Sequence, residues 1–282
     1  MPEGGFMPER FSSMATYEEP GQLAIPPWVV FHVPHDSIEI PHWVVEQYVV
    51  SDDELAEELI KMTDHFTLDL FVPKGYEGQA VRANLSRLVV DVERFEDDSQ
   101  EAMAQIGMGC VYKSTSDMKT LRGDIAEGVR QRLLEEYYFP HHQRLEAAVD
   151  KCLKVHGRCL VVDCHSFPSK ALPYERADVD AYRPDICIGS DDFHSPKRLI
   201  EASVLEFQST GWSVRVNDPF AGALVPVSKY KLDNRVSSIM VEVNRALYID
   251  EKKGMKLESF NKVQARLVRA CVAAIHQGWS CA

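Results

Sequence analysis

Six short runs of mostly β-branched residues constrain this chain more than any other feature: WVVFHV (28–33), RLVVDV (87–92), CLVVDC (159–164), DICIG (185–189), WSVRV (212–216) and SIMVEV (238–243). Each has the length of a buried strand, and most end in polar residues. Helical patterns lie between them. Ser51 and Glu54 have the spacing of a capping box that opens a helix over 51–59, and 119–153, 195–210 and 255–277 carry apolar residues at helical spacing. Strands interleaved with helices predict an α/β fold, a mostly buried mixed sheet with helices on both faces. No internal repeat, linker or Gly/Ser-rich break divides the six runs, so 26–282 reads as one domain. Residues 1–25, rich in Gly, Pro, Glu and Ser without hydrophobic periodicity, read as a flexible arm.

Composition excludes several classes of partner. With 31 basic and 43 acidic residues the formal charge is −12, and no Lys/Arg-rich block offsets it, which argues against nucleic acid. The cysteines stand at 110, 152, 159, 164, 187, 271 and 281 with no CxxC pair, so neither a disulfide framework nor a four-cysteine zinc site fits. That usage is expected of a reduced, cytoplasmic protein. No apolar stretch approaches the roughly 18 residues of a membrane span, and the N-terminus lacks the basic start and apolar run of a signal peptide.

In open α/β sheets functional residues gather at the carboxyl ends of strands. The residues that follow the apolar runs are therefore the ones to inspect: Val33-Pro34-His35-Asp36-Ser37, Asp91-Val92-Glu93-Arg94, Asp163-Cys164-His165-Ser166 and Glu242-Val243-Asn244-Arg245. A single strand-end histidine is most often a hydrogen-bonded structural group. Two histidines, an acid and several arginines on one edge carry more, because catalytic zinc commonly takes two imidazoles and a carboxylate and keeps a position for water.

The stretches VPHDSIEIP (33–41), TDHFTLDLF (63–71), SRLVVDVERF (86–95), VVDCHSFPS (161–169), PDICIGSDDFH (184–194), NDPFAG (217–222) and SSIMVEVNRALY (237–248) together resemble the N-formylglutamate amidohydrolase family. The resemblance runs from about Val30 to Tyr248. It implies a fold similar to the zinc carboxypeptidases (phosphorylase/hydrolase-like) and a hydrolase holding one zinc ion per chain. Such an enzyme would remove a formyl or similar acyl group from the nitrogen of an acidic amino acid, a small anionic substrate.

Carried over by residue, the resemblance makes His35 and His165 the imidazole ligands. A carboxypeptidase would place a glutamate three residues after the first histidine, but Ile38 stands there, so the third ligand comes from elsewhere. Asp64, beside a possible N-cap at Thr63, is the preferred choice. Asp36, Glu39 and His65 are its alternatives. Strand alternation sets Ser238, Met240 and Glu242 on one side of SIMVEV, and Glu242, an acid inside an apolar strand, matches the family's general base. Its structural alternative is an ion pair with Arg245 or a lysine.

Arg87 and Arg94 flank Asp91, and guanidinium groups suit a developing oxyanion (Arg87) and a substrate carboxylate (Arg94). Glutamate's two carboxylates require two cationic anchors, so Arg245 or a lysine is expected to join Arg94. Asn217 and Gly222, in a turn after WSVRV, are read as a wall of the substrate pocket. Asp185, Asp191 and Asp192 read as solvated loop residues, and His141 and His142 as surface or capping groups. Two departures from the family pattern stand out: Glu93-Arg94 where Asn-Arg is usual, and Asp36-Ser37 where small residues follow the histidine. The rival readings are a cysteine hydrolase using Cys164 or Cys187 and a non-catalytic amino-acid or peptide binder on the same fold.

Overall fold

The computed structural model describes residues 24–178 and 180–279. Strands β1 (Val29–Val33), β2 (Ala80–Arg82), β3 (Cys159–Phe167), β4 (Ile186–Gly189), β5 (Val214–Val216) and β6 (Val236–Asn244) form one sheet in the order β2-β1-β3-β6-β4-β5. The pairs β2·β1, β1·β3, β3·β6 and β4·β5 are parallel, and β4 runs antiparallel to β6. A short hairpin, β7 (Ile249–Asp250) and β8 (Met255–Lys256), stands apart. The helices are α1 (His42–Val45), α2 (Asp52–Met62), α3 (Thr67–Phe71), α4 (Glu127–Leu133), α5 (Phe139–His156), α6 (Lys197–Ser209) and α7 (Phe260–Gly278). No helix among the described residues is long and apolar enough to cross a membrane.

Register gives the two faces different work. On one, Val162 and Cys164 of β3 and Ile239, Val241 and Val243 of β6 join Phe31 and Val33 of β1 in the main core, covered by α3, α6 and α7. On the other, Val161 and Val236 pack with Leu145, Val149 and Cys152 of α5 at the amino end of the sheet. Towards the carboxyl end that same face carries His32, Asp163, His165 and Glu242, with His32 opposite Asp163 and His165 opposite Glu242. A one-residue slip would drive these polar groups into the aliphatic layer. Each large aliphatic side chain buried there stabilises the fold by roughly 1.5–3 kcal/mol, so the apolar face fixes where the polar residues stand.

Several sequence expectations need correction. RLVVDV is not a strand; Leu88, Val89, Val90 and Val92 are buried in an irregular segment, and the edge strand that pairs with β1 is β2, Ala80–Arg82. The helical stretch expected over 119–153 begins at Glu127 and passes through a π-helical turn, Leu134–Tyr138, before α5. Over 255–277, β8 comes first and the helix starts at Phe260. The capping box at Ser51 and Glu54 is present, but Thr63 is the C-cap of α2 rather than an N-cap. The arm expected over 1–25 lies outside the described residues except for Ala24 and Ile25, and Ile25 is buried in the main core.

Candidate active site

The carboxyl ends of β1, β3 and β6 open into a cavity of about 800 Å³ that His35, Asp64, Arg87, Glu93, Arg94, Asp163, His165, Gly222, Glu242 and Arg245 help to line. His35, just past β1, has Nε2 2.9 Å from Asp91 Oδ1, while its Nδ1 is buried without a hydrogen-bond partner. His165, on β3, has Nδ1 3.1 Å from Asp64 Oδ2 and Nε2 3.2 Å from Asp163 Oδ1. His35 Nδ1 lies 3.8 Å from the same Asp64 oxygen. Both imidazoles thus turn Nδ1 towards Asp64 Oδ2, and each has Nε2 against another carboxylate, the arrangement that fixes ligand orientation around a metal.

Asp64 sits in the turn between α2 and α3, its amide donating to the His35 carbonyl (2.9 Å). Its Oδ1 accepts from Arg245 Nη2 at 2.8 Å, and its Oδ2 accepts from the Ser166 amide at 3.2 Å. Burial opposes the charge on Asp64, but the bonds from His165 and His35 and the Arg245 guanidinium outweigh it and hold the carboxyl well below its usual range. Arg245 also donates to Ser166 Oγ and O and to the Lys61 carbonyl. The Glu242–Arg245 ion pair that sequence allowed is absent among the described contacts.

Glu93 is the residue that sequence reasoning left unassigned. Its carboxylate lies 3.2 Å from His165 Nε2 and 3.7 Å from His35 Nδ1. It forms with His35 and His165 a set whose donor atoms all lie within 4.8 Å, and a second such set with His32 and Asp163. The only signal in the sequence was the departure from Asn at this position. Of the alternatives to Asp64, none lines the cavity. Asp36 pairs with Arg82 (3.3 Å) and is pushed up to about 6 by burial, Glu39 is exposed, and His65 Nε2 faces the Ile60 carbonyl.

Glu242 projects into the cavity from β6 with Oε2 buried and without a hydrogen-bond partner. Burial raises its carboxyl to about 7 against the pull of His165. Arg87 holds Asp91 through Nε (3.1 Å) and Nη2 (2.7 Å), and its Nε also reaches the Tyr112 hydroxyl. Arg94 has a buried Nε without a hydrogen bond, 3.8 Å from Asp91 Oδ2. Gly222, at φ 100°, lines the cavity, whereas Asn217 is exposed and bonds Ser190 through both side-chain atoms.

His141 is a correction. It is buried, not at the surface, with Nε2 2.9 Å from His32 Nε2, and His32 Nδ1 is 2.7 Å from Asp163. His142 is partly buried beneath Tyr138 and lines the cavity. Neither Cys164 nor Cys187 is set up as a nucleophile. Cys164 belongs to the apolar core, where burial holds it well above its usual range, and Cys187, beside Glu242, is pushed up to about 11 by burial.

Comparison with known proteins places this geometry. The chain is 24% identical over 224 residues to the N-formylglutamate deformylase of Pseudomonas putida, covering 76% of this chain and 81% of that protein. The crystal structure of an N-formylglutamate amidohydrolase from Ralstonia eutropha JMP134 superposes with a TM-score of 0.75 at 22% identity, over 89% of this chain and 94% of the other. A gene product of Agrobacterium tumefaciens superposes with a TM-score of 0.56 at 19% identity, over 86% and 90%. The family model described as N-formylglutamate amidohydrolase matches residues 28–249, the span that carries every strand of the main sheet and every residue lining the cavity, and the chain therefore belongs to that family.

Proposed function

We propose that this protein is a zinc-dependent amidohydrolase that cleaves the formyl–nitrogen bond of an N-formyl amino acid such as N-formylglutamate, giving formate and the free amino acid. One observation carries the reading: the unpartnered Nδ1 of His35 and the Nδ1 of His165 share one oxygen of Asp64, beside a glutamate whose Oε2 has no protein partner. A buried imidazole nitrogen left without a hydrogen bond is costly unless something else binds it. His35, His165 and Asp64 would hold the ion, with Asp91 and Asp163 orienting the two rings. Bound there, zinc would lower the pKa of water to about 7 and polarise the formyl carbonyl.

The protein's own groups supply the rest. Glu242 Oε2 takes a proton from the attacking water and passes it to the departing nitrogen, for which a carboxyl raised to about 7 is suited. Both water protons end on the amine and its oxygen ends in formate. Arg87, fixed by Asp91, faces the charge that develops on the carbonyl oxygen, and Arg94 receives the α-carboxylate. In this reading the two imidazoles and the base stand at the carboxyl ends of β1, β3 and β6, and Asp64 reaches them from the turn between α2 and α3.

The test is formate release from N-formyl amino acids by the purified protein, with elemental analysis of the same sample. About one equivalent of zinc, and activity abolished by chelator and restored by zinc, is the expected result. Full activity in a sample holding less than about a tenth of an equivalent of any metal would refute it.

A further inference from the structure

Four carboxylates contact the rings of His35 and His165, and two of them have a guanidinium partner: Asp91 is paired with Arg87, and Asp64 with Arg245. The other two, Asp163 and Glu93, are 2% and 15% exposed and have no Lys or Arg at ion-pair distance among the described residues. Imidazoles alone face them. Asp163 Oδ1 is 2.7 Å from His32 Nδ1 and 3.2 Å from His165 Nε2, and Glu93 reaches His32, His35 and His165. Carboxylates at such depth remain ionised where they are paired or coordinate a metal.

With His32 these two carboxylates form a compact donor set. His32 Nδ1 lies 2.7 Å from Asp163 Oδ1 and 3.6 Å from Glu93 Oε1, and the three donors lie within 4.8 Å of one another. Ligand atoms about 2.1 Å from a tetrahedral zinc stand roughly 3.4 Å apart, so small side-chain shifts close the set on an ion. Register fixes one pair, because His32 of β1 stands opposite Asp163 of β3. His32 Nε2 faces the buried His141 Nε2 at 2.9 Å, so a ring that gives Nδ1 to a metal keeps its proton on Nε2 and donates it to His141. Asp163 and Glu93 line the cavity, which offers an entry path and room for water as a further ligand. The third donor stands where this chain departs from the family pattern: Asn is usual at position 93, and an amide there would bring no charge.

We infer that His32, Asp163 and Glu93 form a second cation site beside the His35–Asp64–His165 set, one that takes a divalent transition ion such as zinc. One imidazole and two carboxylates suit zinc or manganese. The site is the weaker of the two, because the 2.7 Å contact with an ionised Asp163 requires a proton on His32 Nδ1 that an ion must displace. The protein as purified therefore keeps about one equivalent, and the second enters as free zinc rises. The test is equilibrium dialysis of the full chain, stripped with chelator, against zinc buffers of rising free concentration, with elemental analysis of the protein. Uptake of about two equivalents in two separate steps is expected, and saturation at one equivalent would overturn the inference. Glu93→Asn, which brings in the residue usual in the family, and His32→Phe should each lose the weaker step and keep the tighter one. Two unchanged steps, or loss of the tighter step in Glu93→Asn, would overturn it equally. Glu93 is the more exposed of the two, so Glu93→Asn decides alone if His32→Phe does not fold. His35→Ala separates this inference from the hydrolase reading. It should abolish the tighter step alone; if both steps persist there, the zinc ligands of that reading fall, while the second site stands on the Glu93 result.

Discussion

Arg245 was expected from sequence to meet substrate, and its surroundings make it a structural pin instead. Its side chain is 4% exposed, and its guanidinium reaches Asp64 Oδ1 at 2.8 Å and Ser166 at 3.1 and 3.2 Å. Replacing it with Met removes the cation and leaves Asp64, 3% exposed, as a buried charge facing two histidines. Breaking a buried pair from one side costs about 3–5 kcal/mol. With a urea m-value of about 3 kcal/mol/M, Arg245→Met should lower the unfolding midpoint by roughly 1–2 M. The measurement belongs in chelator, because metal bound only to the folded state would mask part of the loss. Asp64→Asn removes the stranded charge, so the double variant should lose less than the sum of the singles by roughly 1–3 kcal/mol. A single variant destabilised by less than about 1 kcal/mol, with KM alone raised, would refute this reasoning and return Arg245 to the substrate.

Glu242→Gln keeps the shape of the side chain but accepts no proton, so formate release should fall by roughly 10²- to 10⁴-fold with zinc content unchanged; loss of zinc would make Glu242 a ligand. Asp64→Asn should lose zinc under dialysis that Glu93→Gln survives, measured by elemental analysis, and the opposite pattern would transfer the ligand role to Glu93. Acid should destabilise the fold through His141, which burial, with His32, His142 and Arg144 close by, lowers to about 2. The unfolded chain binds that proton below about pH 6.5 and the folded chain does not, so stability present above that pH is lost as pH falls. The loss is about 1.4 kcal/mol between about pH 7.5 and 5.5. Urea midpoints of His141→Gln should show correspondingly less pH dependence, and an unchanged dependence would refute the assignment.

Where one face of a strand is aliphatic, the sequence alone sets which side chains face the cavity. SIMVEV and CLVVDC alternate, so Glu242 and His165 necessarily leave the apolar face, and their register sets them side by side. RLVVDV carried the same kind of signal without being a strand. Leu88 packs with Met62, Met108 and Tyr112, whereas Val89 and Val90 pack in a different cluster with Leu133 and Tyr138. Its backbone is satisfied by distant groups: the Leu88 carbonyl accepts from Arg122 and the Tyr48 hydroxyl, and the Asp91 amide donates to Cys110. No local pattern encodes partners so far along the chain. The same irregular path carries Glu93 to the two histidines. His141 was misjudged for the related reason that its partner His32 is 109 residues away.

A strap, residues 219–225, forms one wall of the cavity and lies directly on the sheet because Gly189 has no side chain: a Cβ there would collide with the Gly222 carbonyl oxygen and with Met240. The spacing between strap and strand is thus set by the missing atoms at one position in β4, which is not among the residues lining the cavity. Position 189 is therefore a natural dial for the width of the chamber. A methyl group there would wedge the strap outward and admit solvent above the sheet, whereas every side chain assigned to the chemistry would keep its identity. Within a common scaffold, the size of what is accepted can drift through such a hinge while the reaction itself is conserved.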